Sequence, residues 1–318
     1  MPTRVLVAGA GGFIGHHLVK YLVSRDYWVR GVDIKMPEYE ETQAHEFQVL
    51  DLRRWENCLK ATSGIDEVFH LAADMGGIGY ISHNFAVAGS HNVLISTHLL
   101  DACREQNVAR LFFSSSACVY PQDKQNMPDV VPLAEEDAHP SDPDEGYGWE
   151  KLFTEQMCRY FEDDFGIATR VARFHNVYGP WGTYDGGREK APAAICRKVA
   201  LAPDNGSIEV WGDGEQTRSF MYIDDCVEGI HRLIRSDHRE PLNLGTDRLI
   251  TINGLVDLVS NIAGKTLSKE HNLQGAQGVR GRNSDNSRLR KVLDWEPTVT
   301  LEDGMKVTYD WIAKQLKA

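Results

Sequence analysis

The chain has no apolar run approaching the ~18 residues a membrane span needs, so no membrane partner is expected. Its early apolar stretch, Val5 to Gly15, is broken by glycines and has neither a basic lead-in nor a small-residue cleavage site, which argues against a signal peptide. Cysteine is sparse and scattered. Cys58, Cys103, Cys118, Cys158, Cys196 and Cys226 contain no C-x-x-C pair and no histidines at ligand spacing, so neither a disulfide framework nor a metal site is expected. A reduced, cytoplasmic protein is the expectation. Excess positive charge is missing as well: 34 Lys+Arg stand against 46 Asp+Glu, a formal net charge of −12. Binding of nucleic acid through clustered cations is therefore not expected, and a phosphorylated ligand has to meet a local basic patch or a helix N-terminus. Repeats and low-complexity tracts are also absent.

What is present is ordinary globular composition over 318 residues, 42% hydrophobic and 25% charged, enough for about two domains. Short β-branched runs alternate with helical stretches: strands over 4–8, 28–33, 47–50, 67–71, 110–115 and 169–173, and helices over 13–24, 86–105 and 147–164. That alternation predicts an α/β fold with a Rossmann-type, doubly wound parallel sheet. After 173 the pattern turns irregular and glycine-rich, with helices expected over 252–263 and 303–316. A smaller, interleaved α/β C-terminal substrate domain accounts for it.

Between the first strand and first helix lie Gly9, Gly12 and Gly15, a G-x-x-G-x-x-G run that includes Phe13 and Ile14. Such a turn lets backbone approach a dinucleotide pyrophosphate at a helix N-terminus. A glycine-rich turn without ligand is the alternative. Asp33 ends the next strand, eighteen residues beyond Gly15, where an acid binds the adenosine ribose diol. An acid there repels a 2′-phosphate, so NAD is expected over NADP. Asp51 and Leu52, at the following strand end, are candidate adenine contacts, or simply an exposed strand end.

Tyr147 and Lys151 form Y-x-x-x-K on one face of a helix. Bringing a tyrosine from its ordinary pKa of ~10 to ~7 takes about 4 kcal/mol of phenolate stabilisation, which a neighbouring ammonium and a cationic nicotinamide can supply. Ser116, closing the strand before it, could hydrogen-bond the reacting hydroxyl or merely cap the strand end.

Taken together, the glycine run, Asp33, His70-Leu71-Ala72-Ala73, Ser116, Tyr147-x-x-x-Lys151 and the segment Arg173 to Pro180 resemble the extended short-chain dehydrogenases/reductases that act on nucleotide sugars. The resemblance implies a Rossmann domain over 1–172 and 218–242 holding NAD, with Leu71, Ala72 and Ala73 beside the cofactor. It implies a nucleotide-sugar-binding domain over 173–217 and 243–318. Three further segments, Asp74 to Gly79, Ser115 to Pro121 and Gly186 to Ala194, are similar to the branch that epimerises GDP-mannose at C3 and C5.

On that resemblance, Tyr147, Lys151 and Ser116 serve transient oxidation at C4, Cys118 is the base and Lys190 the acid, and the product is GDP-L-galactose, GDP-L-gulose or both. Gly76, Gly77, Ser116, Asn176, Lys190, Lys198, Gln216, Arg218 and Arg280 are the implied contacts to the GDP-sugar, with Arg282 close enough to share or replace the role of Arg280. A homodimer through the helices near 90–105 and 147–164 is implied too. Pro121 departs from the glycine that most relatives carry after Val-Tyr. A 4-epimerase, an epimerase of another GDP-sugar such as a heptose, and a catalytically silent dinucleotide-binding regulator remain alternatives. A dehydratase places Asp-Glu where this chain has Ala117-Cys118.

Overall fold

The first strand explains the layering. In a computed structural model that describes residues 2–77, 80, 83–144 and 146–317, β1 (Arg4–Ala8) has Val5, Leu6, Val7 and Ala8 wholly buried. A strand covered on both faces reads as a continuous apolar run, and its alternation divides the core. Val5 and Val7 join Leu18, Val19 and Leu22 of α1 (Phe13–Val23). Leu6 and Ala8 join Cys58 and Ala61 of α2 (Trp55–Thr62), Leu99 and Cys103 of α3 (Phe85–Glu105), and Cys158 and Phe161 of α4 (Tyr147–Phe165).

With β2 (Trp28–Asp33), β3 (Glu46–Val49), β4 (Glu67–His70), β5 (Arg110–Ser116), β6 (Ala168–Phe174) and β7 (Leu242–Leu244), β1 forms a seven-stranded parallel sheet ordered β7-β6-β5-β4-β1-β2-β3. Val5 pairs with Val29 on one side and Glu67 on the other. The chain runs outward in both directions from the β1/β4 pair. The crevice beyond the carboxyl ends of β1 and β4 is therefore the switch point at which such sheets bind ligands. Leu242–Leu244 was not expected as a strand: three residues carry no readable period, and parallel pairing to Ala172–Phe174 supplies the order.

Beyond β6 the chain forms α5 (Ala191–Leu201), then α6 (Ile223–Arg235), which returns to the main sheet beside α1. After β7 come α7 (Ile252–Ala263), α8 (Ser287–Leu293) and α9 (Leu301–Gln315). Ile195, Val199, Leu255, Val259, Met305 and Ile312 pack α5, α7 and α9 together. Small sheets flank them: Ser207–Trp211 pairs parallel with Ser268–Asn272, and Thr217–Arg218 lies between Ile250–Thr251 and Gly281–Arg282. Ile78 and Gly79 of the segment after β4 lie outside the described residues.

Candidate active site

The glycine turn is built by close approach. A Cβ at Gly9, where φ is +90°, would stand 2.8 Å from the Ala72 nitrogen; at Gly11 it would meet the Lys35 carbonyl at 2.3 Å, and at Gly15 the Gly9 carbonyl at 2.0 Å. These glycines pack chain on chain. Gly12 is different, since its Cβ would have only the Gly9 oxygen, at 3.4 Å, for company. Gly12 caps α1 without a side-chain bond, and the first turn carries no acidic residue, so its amides are available to an anion. Asp33 accepts from the amides of Gly11 at 2.9 Å and Ile34 at 2.7 Å, and burial pushes its carboxyl up against those bonds. A small cleft opens here, lined by Gly11, Gly12, Phe13, Lys35 and Trp181 among others. A bare helix end, a cradle of backbone and an inward carboxylate fit a dinucleotide. Leu71, Ala72 and Ala73 run along its β4 side, half-buried. Ile14 packs against the core, Leu52 is buried within it, and Asp51 is engaged by Arg53 at 2.9 and 2.8 Å.

Tyr147 opens α4 behind Gly146 at φ +66°. The next glycine decides its place: a Cβ on Gly148 would fall 2.3 Å from the Cys118 carbonyl. The helix start is thus pressed onto the 3-10 turn Ala117–Val119 that carries the cysteine. Ser116 caps that turn by accepting from the Cys118 amide at 3.2 Å. Burial drives the Tyr147 phenol well above its usual range, Glu150 and Cys118 add to the rise, and Ser116 opposes it. Lys151 is buried, its Nζ 5.2 Å from the Tyr147 ring centre, 4.8 Å from that of Phe113 and 3.6 Å from Glu150 Oε1. Behind them Arg173 grips Glu155 at 3.0 and 2.7 Å, and Glu155 also accepts from Ser115 at 2.5 Å.

Cys118 is partly buried, and the cation at its sulfur is Arg282. Arg282 donates from Nη1 to Sγ at 3.4 Å, from Nη2 to Asp144 at 3.0 Å and from Nε to Gln125 at 2.5 Å. Burial raises the thiol, Arg282 pulls it down, and Asp144 raises it again. Lys190, the residue before α5, keeps part of its side chain exposed, and burial of its ammonium end lowers its pKa. Cys118 is the largest influence opposing that shift, with Cys226 next. Tyr147, Ser116, Cys118 and Lys190, far apart in sequence, therefore share one electrostatic neighbourhood.

The remaining candidates spread along the cleft and beyond it. Gly77 lies against the Lys190 segment, where its Cβ would meet the Glu189 carbonyl at 2.5 Å, and Gly76 lies against the Tyr80 side chain. Asn176 has φ +42° and donates to the Ser219 carbonyl at 3.0 Å. Gln216 is buried, with Nε2 on the Trp211 carbonyl at 2.9 Å and Oε1 without a partner among the described residues. Lys198 donates to the Glu209 carbonyl at 2.8 Å. Arg218 is spent on the carbonyls of Thr217 and Val279, both at 2.7 Å, and burial and Arg282 lower its pKa to about 10. Arg280 turns to Asp213 in a two-pronged pair at 2.7 Å, while Arg282, two residues on, reaches the cysteine. Asp144, Gln125 and Glu150 were not anticipated, because a buried polar partner leaves no spacing signature.

A dinucleotide crevice beside a Tyr-Lys-Ser group defines a redox-capable Rossmann protein, and comparison with known proteins narrows the class. The chain belongs to the NAD dependent epimerase/dehydratase family, whose model matches residues 5–245. NAD is the cofactor of that family and of this member. Among its relatives, "GDP-mannose 3,5-epimerase 1" of Oryza sativa subsp. japonica is 48% identical over 316 residues, spanning 99% of this chain and 82% of that one. "GDP-mannose 3,5-epimerase" of Arabidopsis thaliana is 46% identical, spanning 99% and 83%. Among solved structures, UDP-glucose 4-epimerase of Thermotoga maritima with UDP-glucose superposes with a TM-score of 0.90 at 28% identity, covering 99% of this chain and 100% of that one.

Proposed function

We propose that this nucleotide-sugar epimerase converts GDP-mannose to GDP-L-galactose, GDP-L-gulose or both. The observation that carries the reading is the close contact of the Tyr147 helix start with the turn bearing Cys118, which Ser116 caps, together with the seating of the segment before Lys190 against Gly77. A 4-epimerase needs the tyrosine and serine but leaves that second acid-base pair without a task. The relatives named for GDP-mannose support the same substrate.

NAD supplies reversible hydride removal at C4, which leaves the C3 and C5 hydrogens α to a carbonyl. Asp33, the Gly11–Phe13 turn, Ala72 and Lys151 are the residues placed to hold it. Tyr147 takes the C4 hydroxyl proton and later returns it, with Ser116 fixing that hydroxyl and Lys151 supplying the nearby positive charge. Cys118, as thiolate beside Arg282, removes a proton from carbon on one face. Lys190 delivers a proton from the other, and inversion results. Gly76 and Gly77 bring backbone to the sugar, and we assign Asn176, Lys198, Gln216, Arg218 and Arg280 to the nucleotide diphosphate and sugar. We assign the cofactor to 1–172 with 218–242 and the GDP-sugar to 173–217 with 243–318.

The enzyme works as a homodimer in this reading. Val87 and Leu94 on α3, with Trp149, Phe153 and Tyr160 on α4, are 44–51% exposed, an apolar face suited to a second copy. Six unpaired cysteines support a reducing, cytoplasmic setting. The test is incubation of NAD-loaded enzyme with GDP-mannose in D₂O. Epimerised product carrying deuterium at C3 or C5, formed only with both Cys118 and Lys190 intact, is the expected result; the absence of deuterium from GDP-mannose and its epimers alike sinks the reading.

A further inference from the structure

The Lys190 segment is anchored on the segment that follows β4. Gly77 donates its amide to the Arg188 carbonyl at 3.1 Å, and the missing Gly77 side chain is what admits the Glu189 carbonyl. Arg188, half-exposed, lays its guanidinium 3.8 Å from the Tyr80 ring centre, reaches Asp74 Oδ1 at 3.4 Å and donates to the Met75 carbonyl at 3.2 Å. Asp74 is a junction. Its carboxylate also accepts from Tyr80 at 2.9 Å and meets His91 Nδ1 at 3.0 Å. Its backbone is clamped by Asn92, whose Oδ1 accepts from the Asp74 amide at 2.6 Å and whose Nδ2 donates to the Asp74 carbonyl at 3.2 Å. The same Nδ2 donates to Glu150 Oε1 at 2.9 Å, on the helix turn that carries Tyr147 and Lys151. From the other side Arg197 of α5 holds the Tyr184 carbonyl at 2.9 Å and Glu189 at 3.3 Å.

We propose that Asp74 and Arg188 are positioning residues that fix Lys190 across the sugar from Cys118, and so decide whether a deprotonated carbon is inverted or returned unchanged. The proposal rests on the acid-base assignment above. The balance is simple. Cys118 takes the proton and the carbanion is held as enolate; a proton from Lys190 gives the inverted centre, whereas a proton from Cys118 restores the original one. In D₂O both groups exchange, so the second route leaves deuterium in unchanged GDP-mannose. A lysine on an untethered, glycine-flanked loop spends less time in the delivering pose, and return by Cys118 gains.

The variant is Arg188→Met, which keeps the stem and removes the fork from an exposed site, with Arg188→Lys and Asp74→Asn beside it. Two readouts on NAD-loaded protein separate the tether from the reaction. Amide exchange of Gly77 and of residues 186–190 needs no substrate, and it should quicken roughly tenfold in Arg188→Met. With GDP-mannose in D₂O, the ratio of deuterated GDP-mannose to epimer should rise roughly tenfold, with reduced-cofactor absorbance still appearing and Arg188→Lys partly restoring the ratio. Unchanged amide exchange overturns the tether. Quickened exchange with an unchanged ratio overturns its role in delivery, as does equal loss of cofactor reduction and inversion. Wild-type protein that neither exchanges nor epimerises GDP-mannose refutes the substrate reading instead, and the amide data still judge the tether.

Discussion

Arg282 offers the sharpest test of the chemistry, because its neighbours predict effects of opposite sign. At 3.4 Å from Sγ, its guanidinium faces a thiolate at a separation worth about 5 kcal/mol for full charges at an effective dielectric of ~20. Asp144, held at 3.0 Å by the same guanidinium, cancels much of that. A residual of roughly 1.4–2.8 kcal/mol corresponds to one or two pH units in the cysteine titration. Arg282→Met should therefore cut the thiolate fraction about ten- to a hundredfold at fixed pH. Asp144→Asn removes the opposing anion and should move the titration the other way.

The assay is the initial rate of formation of the deuterated epimer from about pH 6 to about pH 9, with saturating NAD and GDP-mannose. Under the proposed assignment, inversion needs Cys118 deprotonated and Lys190 protonated. Burial raises the first and lowers the second, so the rate climbs with pH on the thiol limb and falls on the ammonium limb. Arg282→Met should displace the acid limb upward and Asp144→Asn downward, with C4 oxidation, read as reduced nicotinamide, retained in both. An acid limb that stays in place in both variants refutes the assignment of Arg282 to the thiolate.

Four further outcomes follow from the same geometry. Cys118→Ser and Lys190→Ala should each lose at least about a hundredfold in inversion while cofactor reduction by GDP-mannose persists, measured by single-turnover absorbance beside product NMR. Gly12→Ala should fold normally yet release NAD at least about tenfold more readily, whereas Gly15→Ala, whose Cβ would sit 2.0 Å from a carbonyl, should lose about 1–3 kcal/mol or more by urea titration. Glu155→Ala strands Arg173, both side chains being at most 3% exposed, and should cost about 3–5 kcal/mol, read as a lower thermal midpoint. Trp149→Glu with Phe153→Glu should halve the mass found by sedimentation; an unchanged dimer means α3 and α4 are not its interface.

The parts of this molecule legible in its sequence are those where one local rule decides. Burial on both faces forces the apolar run of Val5–Ala8, and close backbone contact forces Gly9, Gly11 and Gly15, so the first βαβ unit reads directly from the chain. Helical spacing alone joins Tyr147 to Lys151. Arg280 and Arg282 mark the limit of that kind of reading. They lie two residues apart, Arg280 just ahead of the strand Gly281–Arg282 and Arg282 within it, and either has the charge to serve an anion. What separates them is the fold around each: Arg282, in register with Arg218 on the Thr217–Arg218 strand, meets Cys118 and Asp144, while Arg280, ahead of the strand, meets Asp213. The same holds for Asn92, an ordinary mid-helix residue in sequence whose meaning comes from clamping Asp74 and touching Glu150 at once. Long-range register brings the Tyr147 helix start, the Ser116–Cys118 turn and Arg282 together, and register of that kind is a property of the closed fold, with no counterpart in residue spacing.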